Sequence, residues 1–133
     1  VSWEVEESVA VRVAEIRRCS DGIVEVNMAE QSRVSIEDMA ALLEAQFHVT
    51  PKISGLLVDA RGTVSMGRKA LEMAANNPVN DRTVATALLV GSPVSTLLVN
   101  FFVRFARPPY PARAFRDPKT ARQWLLEHLA GKS

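Results

Sequence analysis

The chain has 133 residues, enough for one domain with a real core, and at 47% hydrophobic and 23% charged it has the composition of a globular chain. Lys+Arg 16 against Asp+Glu 15 leaves a net charge of +1, too balanced for a dedicated nucleic-acid binder, whose phosphate contacts need a basic excess. The single cysteine, Cys19, excludes an intrachain disulfide and a cysteine metal cluster, no apolar run approaches the ~20 residues that span a bilayer, and the acidic start VSWEVEES is unlike a signal peptide, so a soluble cytoplasmic protein is expected.

Val9, Val11 and Val13 alternate with Ala10, Arg12 and Ala14, the period of a half-buried strand, which Trp3 and Val5 extend backwards across a break near Glu6–Ser8. Asp21-Gly22 signals a hairpin, and Ile23, Val24, Val26 and Met28 form the returning strand. Ser35 caps a helix with Asp38 near its positive end, and Ile36, Met39, Ala40, Leu43 and Phe47 share one helical face. His48 falls near the end of this helix and reads as a surface residue; Thr50-Pro51 closes it. Ile53, Leu56, Leu57 and Val58 make a strand buried on both faces, broken by Asp59, Arg61 and Gly62. Ser65 stands where the next helix wants its N-cap, and Met66, Ala70, Met73 and Ala74 give that helix a small apolar stripe up to Asn76-Asn77-Pro78.

Thr83–Val90, TVATALLV, is a further buried strand. Gly91-Ser92-Pro93 turns the chain into a helix that Arg107-Pro108-Pro109 ends. On it Val94, Leu97, Leu98, Phe101 and Phe105 should face the sheet. Val99, Phe102, Val103 and Ala106 then form an apolar surplus, read either as cover for a neighbouring segment or as the contact of a homodimer or heteropartner. Ala112–Phe115 is a short strand, and Asp117-Pro118 opens a last helix with Ala121, Trp124, Leu125 and Leu129 on its buried stripe. The order β-β-α-β-α-β-α-β-α predicts one α/β domain over residues 1–133, with a mixed sheet of about five strands, an N-terminal antiparallel hairpin and about four helices.

Two long segments, LLVDARGTVS and LLVGSPVSTLLVNFFVRFARPPYPARAFRDPKTARQWLLEHL, carry a family likeness. With GSPVS at Gly91–Ser95, Asn100-Phe101-Phe102 and PPYPARAF, the stretch from Val9 to Leu129 resembles small uncharacterised bacterial proteins of the SpoIIAA-like branch of the STAS (anti-sigma-factor antagonist) superfamily. The resemblance implies a STAS-like fold, a non-catalytic regulatory or protein-binding role and no cofactor. In the anti-sigma antagonists a serine directly before a glycine, in Asp-Ser-Ser-Gly, is phosphorylated by a partner kinase. Here Val64-Ser65-Met66-Gly67 occupies that place: Ser65 is one residue early, and Met66 stands at the phosphoacceptor's position.

Ligands of open α/β sheets meet the loops at the carboxyl ends of the strands, so Asp59, Arg61, Gly62, Ser65 and Gly67 form the candidate switch or binding loop. Ser65 could hold a phosphate at a helix N-terminus, but a plain cap is the commoner use of such a serine. Asp59 with Arg61 could be a catalytic pair, but an Asp at a strand end more often stabilises its own turn. Ser92, His128 and Asp59 assemble a triad only on paper, without a G-x-S-x-G elbow, and two isolated histidines do not make a metal site. The glycines at 62 and 67 lack a nucleotide-binding pattern, and Cys19, before a hairpin turn, could be exposed. Arg104, Arg107, Arg113 and Arg116 flank PPYP and could grip an acidic partner or a lipid headgroup, though scattered arginines are more often solvated surface, with Val99, Phe102, Val103 and Tyr110 as the candidate interface. The expectation is a cytoplasmic domain acting through protein contacts, with no metal, cofactor or nucleic acid. Its rivals are a small-ligand or lipid-binding module with a groove between the third helix and the sheet, and an enzyme.

Overall fold

A computed structural model describes residues 3–131, the side chain of Phe105 excepted. Three strands come first: β1 (Val5–Val11), β2 (Ala14–Cys19) and β3 (Ile23–Met28) form an antiparallel meander. The chain therefore reverses at Arg12-Val13, inside what the alternation presents as one strand, and the sheet gains a strand over the sequence expectation. The cause is visible in the two turn residues. Val13 is buried in the core, so it keeps the apolar beat, while the Arg12 guanidinium leaves the sheet to fork onto Asp38 and bond the Arg33 carbonyl. The expected break near Glu6 is a register shift between Val5 and Glu7 within β1. Gly22 takes φ +90 in the second turn, a conformation that side chains rarely adopt.

Beyond β3 the sheet continues in parallel through β5 (Ser54–Asp59), β7 (Thr83–Leu89) and β8 (Ala112–Phe115), in the order β1-β2-β3-β5-β7-β8. Two short strands the sequence did not announce, β4 (Ser32–Val34) and β6 (Thr63–Met66), pair in parallel beside it. The helices are α1 (Ile36–Val49), α2 (Arg68–Ala75), α3 (Pro93–Phe101) and α4 (Pro118–Ala130). Ser35, Ser92 and Asp117 cap α1, α3 and α4 by side-chain hydrogen bonds.

Neighbouring residues of each strand serve opposite faces. Val24, Val26 and Leu56 pack beneath α1 with Met39 and Leu42, and Leu88 packs with Leu71 of α2 and Val99 of α3. On the other face Ile23, Leu57, Ala87 and Phe115 meet Ala121 and Leu125 of α4. Gly55 lets α4 come close, since a Cβ there would lie 3.3 Å from Leu125 Cβ. Arg122 of α4 ties the helix to the meander: it donates to Asp21 at 2.8 and 3.0 Å and to Glu25 at 2.6 Å, and its guanidinium lies 3.6 Å from the centre of the Trp3 ring. Cys19 is buried rather than exposed, and burial pushes its thiol pKa up. Trp124 is half-buried, its ring 5.5 Å from that of Phe115.

Two helical faces differ from the sequence reading. In α1 the buried stripe is Met39, Leu42, Gln46 and Val49, and Ile36 is exposed. In α3 the buried stripe is Ser95 and Val99, continued by Phe102 of the π-helical turn Phe102–Ala106. Val99 and Phe102 are 3% and 5% exposed and Val103 is half-buried, whereas Leu97 is 71% exposed. The surface predicted from Val99, Phe102 and Val103 is therefore part of the core. Ser95 explains the inversion. Its hydroxyl accepts from the Gly91 and Ser92 amides at 3.0 Å and donates to the Ser92 carbonyl at 3.1 Å, so a residue that looks solvent-facing is satisfied within its own turn and can be buried.

Candidate functional site

At the carboxyl end of β5 the chain turns sharply. The Arg61 amide donates to Asp59 Oδ1 at 3.1 Å, and the Arg61 guanidinium clamps both Asp59 oxygens at 2.9 and 2.7 Å. Burial pushes the Asp59 carboxyl pKa up, but the bonds from Arg61 outweigh it and leave the pKa below its ordinary value. Gly62 is required by close approach: a Cβ there would lie 3.0 Å from the Ala29 carbonyl oxygen and from Glu30 Cα. The Ser32 amide then bonds the Gly62 carbonyl at 3.1 Å and the Ser32 hydroxyl bonds Thr63 at 3.1 Å, which starts the β4–β6 pair.

Asp59, Arg61 and Gly62 thus form one tight turn, which Ser65 and Gly67 do not join. Ser65 is not a helix cap. It is an exposed residue of β6, opposite Arg33, and Gly67 is the N-cap of α2, making no side-chain bond. Strand β6 uses Ser65 because the chain runs extended to Met66 alongside β4 before it coils. A phosphate on Ser65 would not receive the free amides of a helix end. His48 is exposed at the end of α1, and His128 meets Trp124 of α4 edge-on, with the ring centres 4.5 Å apart.

A second feature lies under the helices. A cavity of about 90 Å³ separates α1, α2 and α3 from the sheet. Its walls are chiefly apolar, and they include Met28, Met39 and Met66, three of the four methionines in the chain. Four of its polar wall residues lie toward the amino ends of the strands, Gln46 in the last turn of α1, Asn77 and Asn80 before β7, and Tyr110 before β8, while Thr63 lies beyond the carboxyl end of β5. Asn77 and Asn80 spend their amides on carbonyls at the end of α2. Thr86 of β7 is buried in the same wall.

Tyr110, expected at an interface, is half-buried and lines both this cavity and an outer cleft of about 310 Å³ bordered by Lys52 and Arg82. Burial raises the pKa of its phenol. Thr86 is near enough to oppose that rise, but the two hydroxyls do not reach hydrogen-bond geometry. One signal in the sequence could have pointed to this site: Thr86 interrupts the apolar run that follows Thr83 in TVATALLV.

A family model described as domain of unknown function (DUF7793) matches residues 17–129. No curated protein matches the chain. Among solved structures, an uncharacterised protein of the DUF3478 family with a SpoIIAA-like fold, from Shewanella loihica PV-4, aligns with a TM-score of 0.57 at 17% identity, over 84% of this chain and 91% of that one. The fold is SpoIIAA-like, a mixed α/β sheet with an N-terminal antiparallel hairpin and four helices. Among the described residues no helix is long and apolar enough to cross a membrane.

Proposed function

We propose that this chain, which belongs to the DUF7793 family, is a single non-catalytic binding domain that takes a small, mainly apolar molecule beneath its helices. The observation that carries the reading is the methionine-lined cavity between α1, α2, α3 and the sheet. Interiors are packed close to crystal density, so an unfilled space lined by apolar side chains is a place where a small apolar molecule can be taken up. Methionine walls adapt to varied shapes, as at promiscuous binding surfaces. The non-catalytic part is supported by the Asp59–Arg61 pair: a carboxylate clamped by a guanidinium and held below its ordinary pKa is a poor proton shuttle near neutrality.

The test is organic extraction of the purified protein followed by mass spectrometry, beside Ala74→Phe, which fills the cavity from α2. A stoichiometric small molecule in the wild type and none in the variant is the expected result; equal amounts in both would overturn the reading. A protein partner is the second reading, favoured by Val94 and Leu97, which lie three apart on α3 and are exposed. In that reading self-association or partner capture is lost in Val94→Glu/Leu97→Glu and unaffected by Ala74→Phe.

A further inference from the structure

We infer that the cavity selects an uncharged ligand with an apolar body and one neutral hydrogen-bonding group, and that the Thr86 hydroxyl receives that group. This rests on the ligand reading above. Thr86 is 1% exposed, stands in β7 between β5 and the edge strand β8 and lines the cavity, and its Oγ1 has no hydrogen-bond partner among the described residues. The other buried threonines are satisfied. Thr50 donates to the Gln46 carbonyl at 2.6 Å, Thr83 to the Val79 carbonyl at 3.0 Å, and Thr63 accepts from Ser32 at 3.1 Å.

A buried hydroxyl without a partner is costly, and valine would fill the same space without that cost. The Tyr110 phenol is near enough to act on this hydroxyl, but the two do not reach hydrogen-bond geometry, so a ligand group that enters beside them would supply the partner Thr86 lacks. The charge of that group follows from the walls. No Lys, Arg, His, Asp or Glu lines the cavity, and Tyr110, its pKa raised by burial, stays a neutral phenol near pH 7. An ionised group would lose its water with no counter-charge in return. Size follows from volume: about 90 Å³ is smaller than the ~150 Å³ apolar cavity that accepts benzene. Three flexible methionines and the π-helical turn that carries Phe102 supply the remaining room, so the body is of the order of one small ring or a short chain.

Phenol and toluene form a suitable pair, equal in shape and differing by hydroxyl for methyl. Both are titrated into the wild type, Thr86→Val and Thr86→Ser, with NMR shifts at Val26, Leu88 and Val99 reporting occupancy and melting curves reporting folding. The expected result is that both bind the wild type and that the phenol-to-toluene affinity ratio falls about tenfold in Thr86→Val. Thr86→Ser, which keeps the hydroxyl, should retain the wild-type ratio. If both compounds bind and the ratio is the same in the valine variant, Thr86 does not select the ligand and the inference fails, while the apolar cavity remains a ligand site. A serine variant that loses the ratio as fully as valine also overturns it. If neither compound perturbs the cavity of the wild type, the inference and the proposed function fall together.

Discussion

Asp59 is held between two opposed influences, burial that raises its carboxyl pKa and Arg61 that lowers it. Removing the guanidinium leaves burial opposed only by the backbone amide of residue 61, so in Arg61→Ala the Asp59 carboxyl should titrate higher than in the wild type, as followed by carboxyl NMR. Asp38, bonded by Arg12, and Asp117, bonded by Thr120, are lowered as well. A carboxyl depressed on folding adds stability that is fully present above its unfolded pKa and is lost as pH falls through the folded one. Chemical denaturation at a series of pH values should therefore show stability from these groups intact above about pH 5 and falling below about pH 4. Thr86 gives a prediction of the opposite kind. With no ligand bound, Thr86→Val removes an unpaired buried hydroxyl and should stabilise the protein by about 1 kcal/mol in urea unfolding. A clear loss of stability would mean the hydroxyl has a partner in solution.

Among the elements, helix starts were legible where a side chain makes the cap and illegible where the backbone alone does. Ser35→Ala should cost about 1 kcal/mol, because its hydroxyl accepts from the Asp38 amide while Asp38 returns the bond. Ser65→Ala, on exposed β6, should change stability by no more than about 0.5 kcal/mol. Helix α3 sets the same contrast between its faces. Phe102→Ala should cost about 3–5 kcal/mol and Leu97→Ala no more than about 0.5, the reverse of the order that the apolar pattern suggests. The pattern misleads there because the polar strip of Thr96, Asn100 and Arg104 is narrow and apolar residues flank it on both sides, while Ser95, bonded to its own cap, is buried although it is polar.

For the molecule as a whole, Arg122 joins the last helix to the β2–β3 hairpin across about a hundred residues of chain, and the pairing is nearly dry on both sides. Arg122→Ala would leave Glu25 to Arg17 and, among the described residues, Asp21 to the Ile23 amide, and should cost about 2 kcal/mol. Arg122→Ala with Asp21→Asn, which leaves the Arg17–Glu25 pair in place, should recover part of that loss, as a denaturation series would show. The sheet around this tie is built from interlocked apolar faces, with α4 alone on one side and three helices on the other. The three-helix side is where the core is left incomplete, and the proposed function is placed there.

Local chemistry in the sequence was sufficient for the alternation of strands and helices, the helix ends at Pro51 and Pro108, the starts at Ser35, Pro93 and Asp117, and a largely parallel sheet with an antiparallel beginning. Each of these follows from a few neighbouring residues: a missing amide, a capping oxygen, a period of two or of 3.6. Tertiary structure decided the reversal at Arg12-Val13, the inward stripe of α3 and the cavity. Val13 reads as strand until Asp38 captures the arginine beside it, and Ser95 reads as surface until its turn closes around it. The space behind Thr86 belongs to no segment, because it is what remains when side chains from three helices and four strands meet and do not fill the volume between them.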